Sequence, residues 1–261
     1  MHRALTELTH RPWPLPSGPW IMSQTWHDLL FAHWRIDPQR LRPLIPSALE
    51  IDTFQNDAWI GVVPFRMSGV RLRATPALPT LSAFPELNVR TYVTHGAKPG
   101  VWFFSLDAAN AIAVSVARAW FHLPYFNAQM RCETRNDWIE YSSERTHRGA
   151  AKAQIQAKLR GRYRPTGEFF HAQLGTLEHF LTERYCLYAD DTKGQIIRGE
   201  IQHAPWSLQP AEANFRENTM INFLECGGSA PLLTSDPRHQ DEPLLHFSVR
   251  QDVVVWHPQP I

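Results

Sequence analysis

The chain has 261 residues, 43% hydrophobic and 20% charged, an ordinary globular composition that excludes a disordered, collagenous or coiled-coil protein. Lys+Arg of 26 against Asp+Glu of 25 gives a formal charge of +1, too balanced to gather nucleic acid or an anionic membrane by charge, so neither is expected as a partner. Cys132, Cys186 and Cys226 are odd in number and form no C-x-x-C pair, and no 18 apolar residues run together; a reducing cytoplasm fits, without disulfides or a membrane span.

Residues 1–20 carry Pro12, Pro14, Pro16 and Pro19 without an apolar leader core and read as a Pro-rich extension of a single domain covering 1–261. Prolines are scattered throughout, which leaves room for short segments only and argues for a mainly β chain. Residues 26–34 (WHDLLFAHW) read as a buried strand, after which Asp37 and Pro38 suit the N-cap and first position of a short helix. Residues 49–54 and 58–67 flank Gln55, Asn56 and Asp57 as a hairpin would, and 87–93 and 101–106 flank HGAKPG in the same way.

Asp107 is the expected cap of a helix over 108–121, whose small apolar residues predict that it is largely buried, and Pro124 marks its end. Residues 152–163 alternate between polar and apolar as a half-buried strand, and 234–243 read as a polar loop. A helix near 176–184, strands near 185–188 and 195–203, and a last strand over 245–256 complete an α+β, barrel-like fold.

On the strand around residue 90, period-two alternation puts Leu87, Val89, Thr91 and Val93 on one side and Glu86, Asn88, Arg90 and Tyr92 on the other. If that second face looks into a barrel, Arg90 could pair a carboxylate and Glu86 could act as a base or acceptor. A solvated strand face gives the same pattern. Alternation also sets Trp102 and Phe104 opposite Phe103, with one set lining a cavity. The thirteen histidines show no zinc spacing, and no phosphate-binding loop or nucleophile elbow is present, so no metal or cofactor is expected. Cys226 before Gly227 and Gly228 looks like a helix end rather than a nucleophile.

From about residue 26 to 130, the stretches WRIDPQRLRPLIP, DAWIGVVPFRMSGVR, FPELNVRTYV, GVWFFSLDAANAIAV and ARAWFHLPYFNA resemble the uncharacterised YqjF-like family of the acetoacetate decarboxylase-like superfamily. The resemblance implies a mainly antiparallel β-barrel-like sheet with a few short helices and an internal cavity, and it implies self-association, homo-oligomers being common there. Acetoacetate decarboxylases carry an arginine before the D-P of the first helix, a glutamate on a barrel strand, and lysines after a G-F-P turn, one of which forms the Schiff base. The matching positions are Arg35, Glu86 and, for the lysines, Tyr125 and Phe126; Arg118 fits a further arginine before the turn.

An imine needs an amine nucleophile, so Tyr125 predicts that Schiff-base decarboxylation is absent. The remaining reading is a small-molecule site with Glu86 and Tyr125 as acid/base and oxyanion groups and with Arg35, Asn88, Arg90, Trp102 and Arg118 as ligand contacts. A binding protein for a small carboxylate or carbonyl compound, a cofactor-independent lyase, hydratase or isomerase, and a structural protein with a filled cavity all remain open. Pairs of Arg35 with Glu86 and of Arg118 with Asp107 would reduce these charges to structural roles.

Overall fold

The computed structural model of the protein describes residues 2–78, 81–146, 157–190, 194–224 and 242–261. Strand β1 spans Met22–Ile36 and is interrupted by a bulge where Asp28 takes φ +51°. It stops where Asp37 accepts from the Gln39 N–H at 2.8 Å and Pro38 opens α1 (Pro38–Leu41). Strand β3 (Ala58–Leu72) is buried without interruption from Ala58 to Phe65. Such a run implies packing on both faces rather than one wet face.

The expected hairpin around Gln55 and Asn56 is corrected in its pairing. The turn itself forms, with Phe54 and Asp57 exchanging backbone bonds and both central residues at positive φ. The short strand before it, β2 (Glu50–Ile51), turns away and pairs Thr94 and Val93 of β4 (Phe84–His95). β4 and β5 (Lys98–Ala108) form the second expected hairpin, turning at Gly96 with φ +60°.

Asp107 does not cap the next helix. It lies inside β5, and Asn110 caps α2 (Ala111–Phe121) by accepting from the Ile112 and Ala113 N–H groups at 3.1 Å. Nor is α2 largely buried: Ile112 and Ser115 face solvent, while Ala113, Val114, Ala117 and Phe121 face inward. The helix is the crossover that lets β6 (Tyr125–Arg135) run parallel to β5. A hairpin of β6 with β7 (Trp138–Arg145) follows, then β8 (Lys158–Pro165), α3 (Leu177–Thr182), β9 (Cys186–Asp190) and β10 (Ile196–Gln202). β11 (Gln209–Asn218), β12 (Leu244–Val255) and β13 (Gln259–Pro260) complete the chain. Residues 152–156 of the expected alternating strand, Lys193, Cys226 with the glycines after it, and residues 234–241 of the expected loop lie outside the described residues.

The sheet is mixed, because β5 is parallel to β6 near one end and to β9 near the other. The pairings close a nine-stranded barrel in the order β5, β6, β7, β8, β11, β12, β1, β3, β4. A second ring runs β5, β9, β10, β12, β1, β3, β4 and shares five of those strands. This explains the two-sided burial of β3. One face packs with Leu30, Leu87, Ile139, Leu159 and Phe247 inside the nine-stranded barrel; the other looks into the smaller ring. At the junction Gly100 is required, since a Cβ there would lie 2.6 Å from the Cys186 carbonyl oxygen.

The amino-terminal segment lies against the barrel. Arg11 pairs Glu200 at 2.7 Å, and the Trp13 indole N–H donates to the same carboxylate at 2.9 Å. Among the described residues no helix is long and apolar enough to cross a membrane.

Candidate ligand cavity

The seven-stranded ring surrounds a partly open cavity of about 180 Å³ to which every strand of the ring contributes, with Ala113, Ala117 and Phe121 of α2 in its wall. Glu86, Asn88 and Arg90 line it from β4, as alternation requires. Tyr125, the first residue of β6, joins them, and its hydroxyl donates to Glu86 Oε2 at 2.7 Å. Four of the expected site residues therefore meet around one hollow.

Three do not. Arg35 pairs Asp57 at 3.2 Å on a partly exposed edge, not Glu86. Arg118 donates to the Tyr125 carbonyl at 2.7 Å and lies on the outer side of α2, while Asp107 takes Arg145 as its partner. Trp102 packs into the core of the nine-stranded barrel. A bulge shifts the register so that Arg90 opposes Phe103, and it is Phe103 that reaches the cavity. Phe126, the second expected lysine position, is buried against the Arg145 guanidinium at 4.2 Å.

Burial dominates the electrostatics of Glu86. It pushes the carboxyl up to about 8, the negative neighbour Asp107 adds to the rise, and the hydrogen bond from Tyr125 only partly offsets them. Near neutral pH Glu86 is mostly protonated, which suits it to act as an acid rather than as a resting base. Cys186 also lines the cavity, but burial raises its thiol to about 11 and keeps it protonated.

Arg90 is placed by a glycine. His33, Gly61 and Arg90 lie in one row across β1, β3 and β4, and a Cβ at Gly61 would come within 3.0 Å of the His33 ring and 3.5 Å of Arg90 Cγ. In that space His33 Nε2 lies 2.6 Å from the Tyr92 hydroxyl, which itself donates to the Leu181 carbonyl at 2.7 Å. The imidazole proton therefore sits on Nε2. Burial and the Arg90 charge hold His33 well below its usual range, so it is neutral.

Arg90 Nε and Nη2 are buried without a hydrogen-bond partner, as is Asn88 Oδ1. A second cavity cation, Arg184, is neutralised by Asp52 at 2.5 Å and also donates to the Phe180 carbonyl. Arg184, Trp206 and His203 come from a part of the chain where the sequence carried no site signal. Trp26 was visible only as a strand residue. Among the described residues no lysine lines the cavity. Lys98 pairs Glu200 at 2.8 Å and Lys158 pairs Glu144 at 3.0 Å. Nor do any three His, Cys, Asp or Glu among them converge as a metal site would need.

Residues 23–252 match the family DUF2071, described as an uncharacterized conserved protein. The chain belongs to the DUF2071 family. A relative, the uncharacterized protein YqjF of Bacillus subtilis (strain 168), is 44% identical over 242 residues, or 93% of each chain.

The fold of this DUF2071 member is similar to that of acetoacetate decarboxylase from Legionella pneumophila, with a TM-score of 0.58 and 12% identity over 97% of this chain and 93% of that one. An acetoacetate decarboxylase-like enzyme from Sphingomonas wittichii RW1 gives 0.57 and 15% over 97% and 98%. The enduracididine biosynthesis enzyme MppR complexed with pyruvate gives 0.57 and 11% over 96% and 93%. At these identities the likeness establishes the architecture, including the barrel, and nothing about activity.

Proposed function

We propose that this protein binds a small, largely apolar carboxylate or carbonyl compound in the cavity, with Arg90 as the anion anchor and the Glu86–Tyr125 pair as donor to a second oxygen. The carrying observation is the Arg90 guanidinium, two of whose nitrogens are buried without a partner beside mainly apolar walls. Unpaired buried donors of a cation are costly, and a ligand carboxylate removes that cost through charge-assisted bonds. Orphan donors also outnumber orphan acceptors: Arg90 Nε and Nη2 and the indole nitrogens of Trp26 and Trp206 stand against Asn88 Oδ1. An acceptor-rich ligand balances such a set. That MppR, of the same fold, is seen complexed with pyruvate supports a small carboxylate.

Thermal stabilisation by small carboxylates that grows with concentration tests the reading. Arg90→Met should weaken that binding at least about tenfold, equivalent to about 1.4 kcal/mol, while leaving the fold intact. Unchanged affinity in that variant would remove Arg90 from the site. Borohydride with a keto acid should leave the protein mass unchanged, because the described lysines are engaged outside the cavity.

One observation favours a second reading. A carboxyl held at about 8 beside an anion anchor suits general-acid catalysis in a cofactor-independent lyase, hydratase or isomerase. Glu86→Gln would then abolish turnover and leave binding nearly unchanged.

A further inference from the structure

The geometry points to a flat aromatic ring as the apolar part of the ligand, so that the cavity selects a small aromatic carboxylate. This rests on the carboxylate-binding reading above. Trp26 and Trp206 line one side of the cavity as a stacked pair, centroids 5.8 Å apart and planes within 17°. Phe65 meets Trp26 edge-on at 5.8 Å, and Phe31 meets Trp206 edge-on at 4.9 Å. The Arg90 guanidinium carbon lies 5.2 Å from the Phe31 ring, so the aromatic cluster runs without a break to the anion anchor. Phe103 adds a further ring from the strand beside Arg90.

Aromatic walls favour a ring over an equally large saturated body, because the ring quadrupole gains from offset and edge contacts beyond the area it buries. Both indole N–H groups of the stacked pair are buried without an acceptor, and carboxylate oxygens of a ring-bearing acid can supply one. Size agrees. A cavity of about 150 Å³ holds benzene, and about 180 Å³ leaves room for one ring with its carboxylate.

Calorimetric titration of the full chain at pH 7 with benzoate, cyclohexanecarboxylate, hexanoate and pyruvate tests this. Benzoate should bind about three- to tenfold tighter than cyclohexanecarboxylate, and Trp26→Leu should bring the two acids to similar affinity. Phe103→Leu gives the same readout if Trp26→Leu does not fold. Equal affinity for the two ring acids, a ratio that survives in both variants, or binding of pyruvate or hexanoate in preference to benzoate overturns the aromatic inference and leaves the carboxylate reading standing. Binding of none of the four acids overturns both.

Discussion

The Tyr125 hydroxyl donates to Glu86 Oε2 at 2.7 Å, and both side chains are buried in the cavity wall. The bond lowers the Glu86 proton affinity while burial raises it, so Tyr125→Phe should move the carboxyl further up, above about 8. The lost bond should also destabilise the fold by about 1 kcal/mol. An infrared pH titration of the protonated carboxyl C=O band reads the first effect, and urea denaturation the second. A band that disappears at lower pH in the variant would contradict this account.

Glu86 also predicts how stability depends on pH. Its carboxyl titrates at about 8 in the folded protein against an ordinary 4.5, so folding takes up a proton between those values. The contribution is fully present below pH 4.5 and is lost as pH rises through 8, with a slope approaching about 1.4 kcal/mol per pH unit. Glu86→Gln removes that dependence. The variant should gain on the parent steadily from pH 5 to 8 in denaturation midpoints, and parallel profiles would show that Glu86 is ionised in the fold.

Gly61→Ala probes the row that places Arg90. The new methyl would meet the His33 ring at 3.0 Å, and displacing that ring disturbs its 2.6 Å contact with Tyr92. Destabilisation of about 1–3 kcal/mol is expected from overpacking, with carboxylate binding weakened as well because Arg90 loses its packing partner. Wild-type affinity in the folded variant would separate Arg90 placement from His33.

The pair behind the cavity wall is structural. Arg145 Nε and Nη2 both reach Asp107 Oδ1 at 2.8 Å, almost wholly removed from solvent. Arg145→Met would strand a buried carboxylate and should cost about 3–5 kcal/mol. Asp107 already titrates at about 6, raised by burial against the pull of Arg145. Without the arginine it rises further, so the loss should be smaller at pH 5 than at pH 8 in chemical denaturation. Equal losses at both pH values would overturn a further rise of Asp107 on removal of the arginine.

The amino-acid order alone determined the mainly β character, the Asp37–Pro38 helix start, the β4–β5 hairpin and the shared face of Glu86, Asn88 and Arg90. Those follow from local rules: side chains alternate along a strand, and proline and a capping carboxylate set a helix start. Tertiary structure decided which of the two faces of β5 met the cavity, since a bulge opposite Arg90 selects Phe103 over Trp102. It also decided the charge partners, giving Asp57 to Arg35 and Arg145 to Asp107, because ion pairs depend on strand neighbours distant in sequence. The second ring, with Arg184 and Trp206 in its wall, arises from β5 and β12 each pairing three strands. No residue pattern within one strand encodes how many neighbours its edges acquire, and that number made the cavity.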